Sequence, residues 1–133
     1  MMNTRILTFI LCVLAGIFSC RAEQWLETYK GTVGPYQVTA RFNVSEEYSM
    51  AAGGSEIFYD GKYTYTKAGN SLNLVGYANG QTNWKVYLEE TTPKGKKSAE
   101  WKLEKLDGGD LKGTMRVLKT NKTYKVYLRR TNR

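Results

Sequence analysis

From Trp25 onward, apolar and polar residues alternate with a period of two. Tyr36, Val38, Ala40, Phe42 and Val44 interleave with Gln37, Thr39, Arg41 and Asn43, the pattern of a strand with one buried face. The alternation recurs at Trp84/Val86/Leu88, Ala99/Trp101/Leu103, Leu111/Gly113/Met115/Val117 and Tyr124/Val126/Leu128. Turn-forming residues separate these runs: Gly34-Pro35, Ala68-Gly69-Asn70, Asn79-Gly80, Thr92-Pro93-Lys94-Gly95, Asp107-Gly108-Gly109 and Thr120-Asn121. The pattern predicts eight strands near 26–33, 36–44, 55–66, 71–77, 83–90, 98–105, 110–118 and 122–130. Nearly every link is short, so sequence neighbours are expected to pair antiparallel.

Eight such strands bury their apolar faces by closing into an up-and-down β-barrel, which also removes both sheet edges. A two-sheet sandwich is the alternative, but the successive hairpins show no long Greek-key crossover. The expected class is therefore all-β, an eight-stranded antiparallel up-and-down barrel. Asp60-Gly61 interrupts the third strand, yet Ile57, Tyr59, Tyr63 and Tyr65 keep one parity, which predicts a kink rather than a new strand. The longer connection from Ser45 to Gly54 has two readings. It is a two-turn helix over 46–52, capped by Ser45 with Glu46 and Glu47 in its first turn, or it is a surface loop.

The pieces Gly61-Lys62-Tyr63-Thr64-Tyr65, Leu72-Asn73-Leu74-Val75-Gly76, Leu88-Glu89-Glu90, Trp101-Lys102-Leu103 and Leu111-Lys112-Gly113-Thr114 follow in order over most of residues 26–129. This series resembles a group of small exported bacterial lipocalin-like β-barrel proteins, many of them lipoproteins and mostly without assigned function. Lipocalins proper carry Gly-x-Trp on the first strand; Trp25 and Gly31 do not form it, so a lipocalin's ligand is not implied. Exported lysozyme inhibitors also use eight-stranded barrels, but the disulfide usual in them is absent. No functional residue transfers from either group.

The first residues read as an export signal. Arg5 gives a positive start, and residues 6–18 are an apolar run too short for a spanning helix, which needs roughly 20 residues. The expected division is a lipoprotein-type signal peptide over 1–20, with an alternative cut after 22, and a single barrel domain over 21–133. In the lipoprotein reading Cys20 is acylated, and the domain sits in the periplasm, anchored to the outer membrane. The other cut releases a soluble secreted protein from Glu23.

Composition narrows the chemistry. The chain has no His, and both cysteines, Cys12 and Cys20, lie in the signal region. Imidazole acid–base catalysis, Ser-His-Asp and Cys-His nucleophiles and His/Cys zinc sites are thereby removed. Glu89 and Glu90 are adjacent on a strand and point to opposite faces. Glu100 and Glu104 lie about 13 Å apart along one face, beyond the roughly 5–9.5 Å of glycosidase carboxylates. No enzyme activity, cofactor or metal site is expected.

Charge and aromatics supply the candidate sites. Net charge is +8. Residues 94–133 hold 13 Lys or Arg against 4 Asp or Glu, whereas residues 21–93 hold 6 against 8. Strand parity turns Lys112, Arg116, Lys125, Tyr127 and Arg129 outward as a basic stripe, read either as a contact for an anionic protein, glycan or lipid surface or as a solubilising exterior. Nucleic acid is not an expected partner. Phe42, Tyr59, Tyr63, Tyr65, Trp84, Trp101 and Tyr124 share the inward parity, where they fill the core or line a ligand pocket centred on Tyr63, Tyr65, Trp84 and Trp101. Outward Tyr77, Tyr87 and Tyr127 are candidate anchors of a protein interface. Three functions follow: a non-enzymatic envelope protein recognising a partner through its exterior, a carrier of a small ligand in the barrel mouth, or an inhibitor of a cell-wall hydrolase.

Overall fold

A computed structural model describes residues 23–50 and 53–132; the expected signal segment and Cys20 lie outside the described residues. Eight antiparallel strands run in sequence order: β1 (Glu23–Val33), β2 (Tyr36–Ser49), β3 (Gly54–Tyr65), β4 (Ser71–Asn79), β5 (Val86–Thr91), β6 (Lys97–Lys105), β7 (Leu111–Val117) and β8 (Thr123–Arg130). Each pairs with the next, and β8 pairs with β1, with Tyr29 opposite Arg130 and Val33 opposite Val126. The sheet is a closed up-and-down barrel, not a sandwich. Its upper end holds the links at 34–35, 66–70, 92–96 and 118–122. Its lower end holds the links at 50–53, 80–85 and 106–110 and the start of β1.

Alternation along the strands packs the interior. Tyr29, Phe42 and Tyr59 form an edge-to-face chain with centroids 5.9 and 5.7 Å apart. Tyr63 meets Trp101 edge-on at 4.9 Å. Aliphatic residues from every strand, among them Val33, Val44, Leu74, Leu88, Leu103, Leu111 and Leu128, close around these rings. Rings of this size fill an eight-stranded interior, so the bulk of the barrel is core.

Closure brings backbones close. β3 runs unbroken through Gly61, where a Cβ would lie 1.9 Å from the Arg41 carbonyl oxygen. At the β1–β8 seam, a Cβ on Gly31 would lie 1.8 Å from the Tyr127 carbonyl oxygen. Only glycine fits either place.

Two expectations are corrected. No helix forms at 46–50: β2 continues to Ser49, with Glu46 opposite Ile57 and Tyr48 opposite Ser55. Pairing with β3 gives this backbone a partner at each position, whereas a two-turn helix is marginal on its own. The reversal is instead tight, with Gly53 N–H donating to the Met50 carbonyl at 3.1 Å.

The second correction concerns β5, which begins at Val86 rather than near 83. Asn79 caps a 3-10 turn at Gly80–Thr82, its side chain accepting from Thr82 N–H at 3.0 Å. Asn83 and Trp84 follow with φ of 55° and 61°. Trp84 therefore leaves the strand parity and is 46% exposed instead of facing inward.

Candidate functional site

The basic stripe forms across β7 and β8, where Lys112 lies opposite Tyr127 and Thr114 opposite Lys125. All five expected members, Lys112, Arg116, Lys125, Tyr127 and Arg129, point outward and are exposed. The strand register adds two cations, one through barrel closure and one through the β6–β7 hairpin. Lys30 on β1 lies opposite Arg129, and Lys102 on β6 lies opposite Thr114. The signal for Lys30 was its outward position beside Tyr29, but only the β1–β8 register places it at the stripe.

Tyr127 stands between two shallow grooves. One is lined by Lys30, Thr39 and Arg129, the other by Glu104, Lys112 and Lys125. The Tyr127 hydroxyl donates to Asp110 Oδ2 at 2.8 Å, and that bond, more than partial desolvation, pushes its pKa up. Arg116 departs from the group. Its guanidinium pairs with Glu100 and donates to Asn121 Oδ1 at 3.1 Å, while Lys97 Nζ reaches the same Glu100 at 3.1 Å. Hydrogen bonds from Lys97 and Arg116 hold the Glu100 carboxyl below the usual range. Among the described residues, Lys30, Lys102, Lys112, Lys125 and Arg129 enter no ion pair. The upper links continue the positive charge with Lys67, Lys94, Lys96, Lys119 and Lys122, and contain no Asp or Glu.

The expected inner pocket is assembled only in part. Tyr63, Tyr65 and Trp101 meet, but around a side chain: Glu90, 5% exposed. Tyr63 hydroxyl donates to Glu90 Oε1 at 2.5 Å, Trp101 Nε1–H to the same oxygen at 3.1 Å, and Ser98 hydroxyl to Oε2 at 2.7 Å. Tyr65 and Tyr63 hydroxyls lie 3.1 Å apart. Burial first, and then the bond to Glu90, raises the Tyr63 phenol far above its ordinary pKa. No cation among the described residues pairs with Glu90. The open space nearby, about 580 Å³, lies at the upper mouth between Pro35, Tyr36, Tyr65 and Lys67, and touches the cluster at Tyr65.

A second buried carboxylate, Glu27 at 1% exposure, occupies the lower end. Trp25 Nε1–H donates to Oε2 at 2.7 Å and the Tyr29 hydroxyl to Oε1, with Arg130 at 3.5 Å and Lys105 at 3.6 Å. Each end of the barrel is thus closed by a Glu held by one Trp and one Tyr, ion-paired only below. Both carboxylates occupy inward parity positions, the one signal that pointed to them. Glu89, by contrast, faces outward and pairs with Lys97 at 3.1 Å. Tyr77 and Tyr87 are register partners on the outer wall, their rings tilted at 6.4 Å.

No family model, curated protein or solved structure matches the chain.

Proposed function

We propose that this is a non-enzymatic binding protein of the bacterial envelope, anchored through an acylated Cys20, that recognises an anionic partner with the exterior over β6, β7, β8 and β1. The observation that carries this reading is the group of five exposed cations, Lys30, Lys102, Lys112, Lys125 and Arg129, without ion pairs and arranged around Tyr127. On these same strands Lys97, Lys105, Arg116 and Arg130 are paired with Glu27, Glu89 or Glu100, so the five that remain unpaired are the ones gathered around Tyr127. A cluster left unpaired concentrates positive potential and attracts polyanions at a rate that salt reduces.

The carrier reading has less support. The polar groups of Tyr63 and Trp101 are engaged by Glu90, and Trp84 stands elsewhere. The test is retention on immobilised heparin, a polyanion probe. The protein is expected to bind at low salt and elute well above the salt that releases a neutral protein. Flow-through at low salt contradicts the reading.

A further inference from the structure

The two ends of the barrel differ in chemistry. The upper links carry the five lysines and no acid. The lower end carries the exposed apolar side chains Met50 (81%), Tyr48 (58%) and Trp84 (46%). Single exposed apolar residues are ordinary, but three gathered at one end, at the tip of β2 and on two links, make a local apolar tip, against Tyr36 at the upper end. Trp84 is also held there against its backbone preference. A bulky residue seldom adopts φ of 61°, yet its N–H is fixed by a 2.9 Å bond to the Asn79 carbonyl, so the turn presents the indole to solvent. Trp and Tyr are the side chains enriched where a bilayer meets water.

The chain outside the structure enters at this same end. Glu23 begins β1 and pairs with Glu46, two residues before Tyr48 on β2. Cys20 precedes Glu23 by three residues, a reach of roughly 10 Å at full extension. We infer that the end bearing Tyr48, Met50 and Trp84 rests on a lipid bilayer, with the lysine-bearing end turned away from it. The inference rests in part on the anchor proposed for Cys20. Glu23, Glu46, Glu47 and Glu56 lie on the same end and outnumber Lys85 beside Trp84, so the seat suits zwitterionic lipid and gains nothing from anionic lipid.

The test is tryptophan quenching by brominated phosphatidylcholine, with full-chain protein purified from its envelope and reconstituted into vesicles. The wild type is expected to be quenched, and Trp84→Phe to lose most of that quenching. A Lys67→Trp probe at the upper end, added to Trp84→Phe, should not restore it. Replacing a fifth of the lipid with phosphatidylglycerol should change neither result. Equal quenching of wild type and Trp84→Phe, or quenching restored by the Lys67→Trp probe, overturns the inference. The mass of the N-terminal peptide separates the two readings. An acylated, vesicle-bound protein whose quenching ignores Trp84 refutes the seating and leaves the anchor. An unacylated protein that still seats through Trp84 refutes the anchor alone, and one that does not bind vesicles refutes both. Because Trp84 is exposed, its replacement leaves the core intact; Tyr48→Ser with Met50→Ser gives an independent reduction of the same quenching.

Discussion

Lys30 and Arg129 lie opposite each other across the seam where β1 closes on β8. Like charges in register on neighbouring strands repel, and no carboxylate among the described residues pairs with either. Seventeen residues earlier on the chain, Lys112 lies opposite Tyr127, so the seam and the last hairpin share one positive wall. A surface that keeps uncompensated repulsion is suited to a partner that relieves it.

The seam itself depends on Gly31. In Gly31→Ala the new methyl collides with the Tyr127 carbonyl, so β1 and β8 must part. The variant is expected to lose several kcal/mol in urea denaturation, or to accumulate unfolded, because backbone cannot yield as a side-chain tip can. Gly80→Ala meets nothing within 4 Å and should stay within about 0.5 kcal/mol of wild type. Equal stability of the two variants would contradict the close approach.

Glu90 accepts from three neutral donors inside the upper end. Glu90→Gln keeps the shape but turns one acceptor into a donor, which then faces a Tyr63 or Ser98 hydroxyl or the Trp101 N–H. A cost of about 1–3 kcal/mol is expected, seen as a melting point lower by roughly 4–8 °C per kcal/mol. An unchanged thermal melt would mean that these bonds do not hold the barrel end.

Alkali should unfold the protein sharply. Burial raises the folded-state pKa of Tyr29, Tyr59 and Tyr63 above the usual phenol value of 10.0, with the carboxylates of Glu27 or Glu90 adding to it. Above about pH 10 the unfolded chain sheds these protons while the folded chain keeps them. Stability is therefore full below pH 10 and falls above it, by about 1.4 kcal/mol per pH unit for each tyrosine. Phenolate absorbance followed against circular dichroism should show three tyrosines ionising only as the fold is lost. Smooth ionisation of all ten in a folded protein would contradict their burial.

A native mass spectrum of protein taken from its native cells bears on the carrier reading. The packed interior predicts a barrel without a bound small molecule, and the anchor proposed for Cys20 predicts an acyl mass on the N-terminal peptide. A retained ligand would redirect attention to the mouth between Tyr36 and Tyr65.

Much of the fold was legible because a closed meander leaves few choices once parity and turns are known. Trp101, Leu111 and Val126 sit on the buried face that alternation assigned them. The failures have local causes. Trp84 fits the alternation of Val86 and Leu88, but the Asn79 cap inserts a 3-10 turn that spends the parity before β5 begins. Residues 46–49 look helical in composition, with two Glu after a Ser, yet β3 offers them a ladder. The stripe was legible strand by strand. Lys30 joins it only through closure, a contact about 100 residues apart in sequence that no local pattern encodes.

The central claim is tested most directly by the triple charge reversal Lys112→Glu, Lys125→Glu and Arg129→Glu, compared on immobilised heparin with a control reversal of Lys62, Lys67 and Lys85. All three stripe positions are exposed, so the barrel should fold as before. The account predicts that the stripe variant elutes at much lower salt than the control, although both carry the same net charge. Equal elution of the two variants would contradict it, because retention would then follow overall charge and not this wall of the barrel.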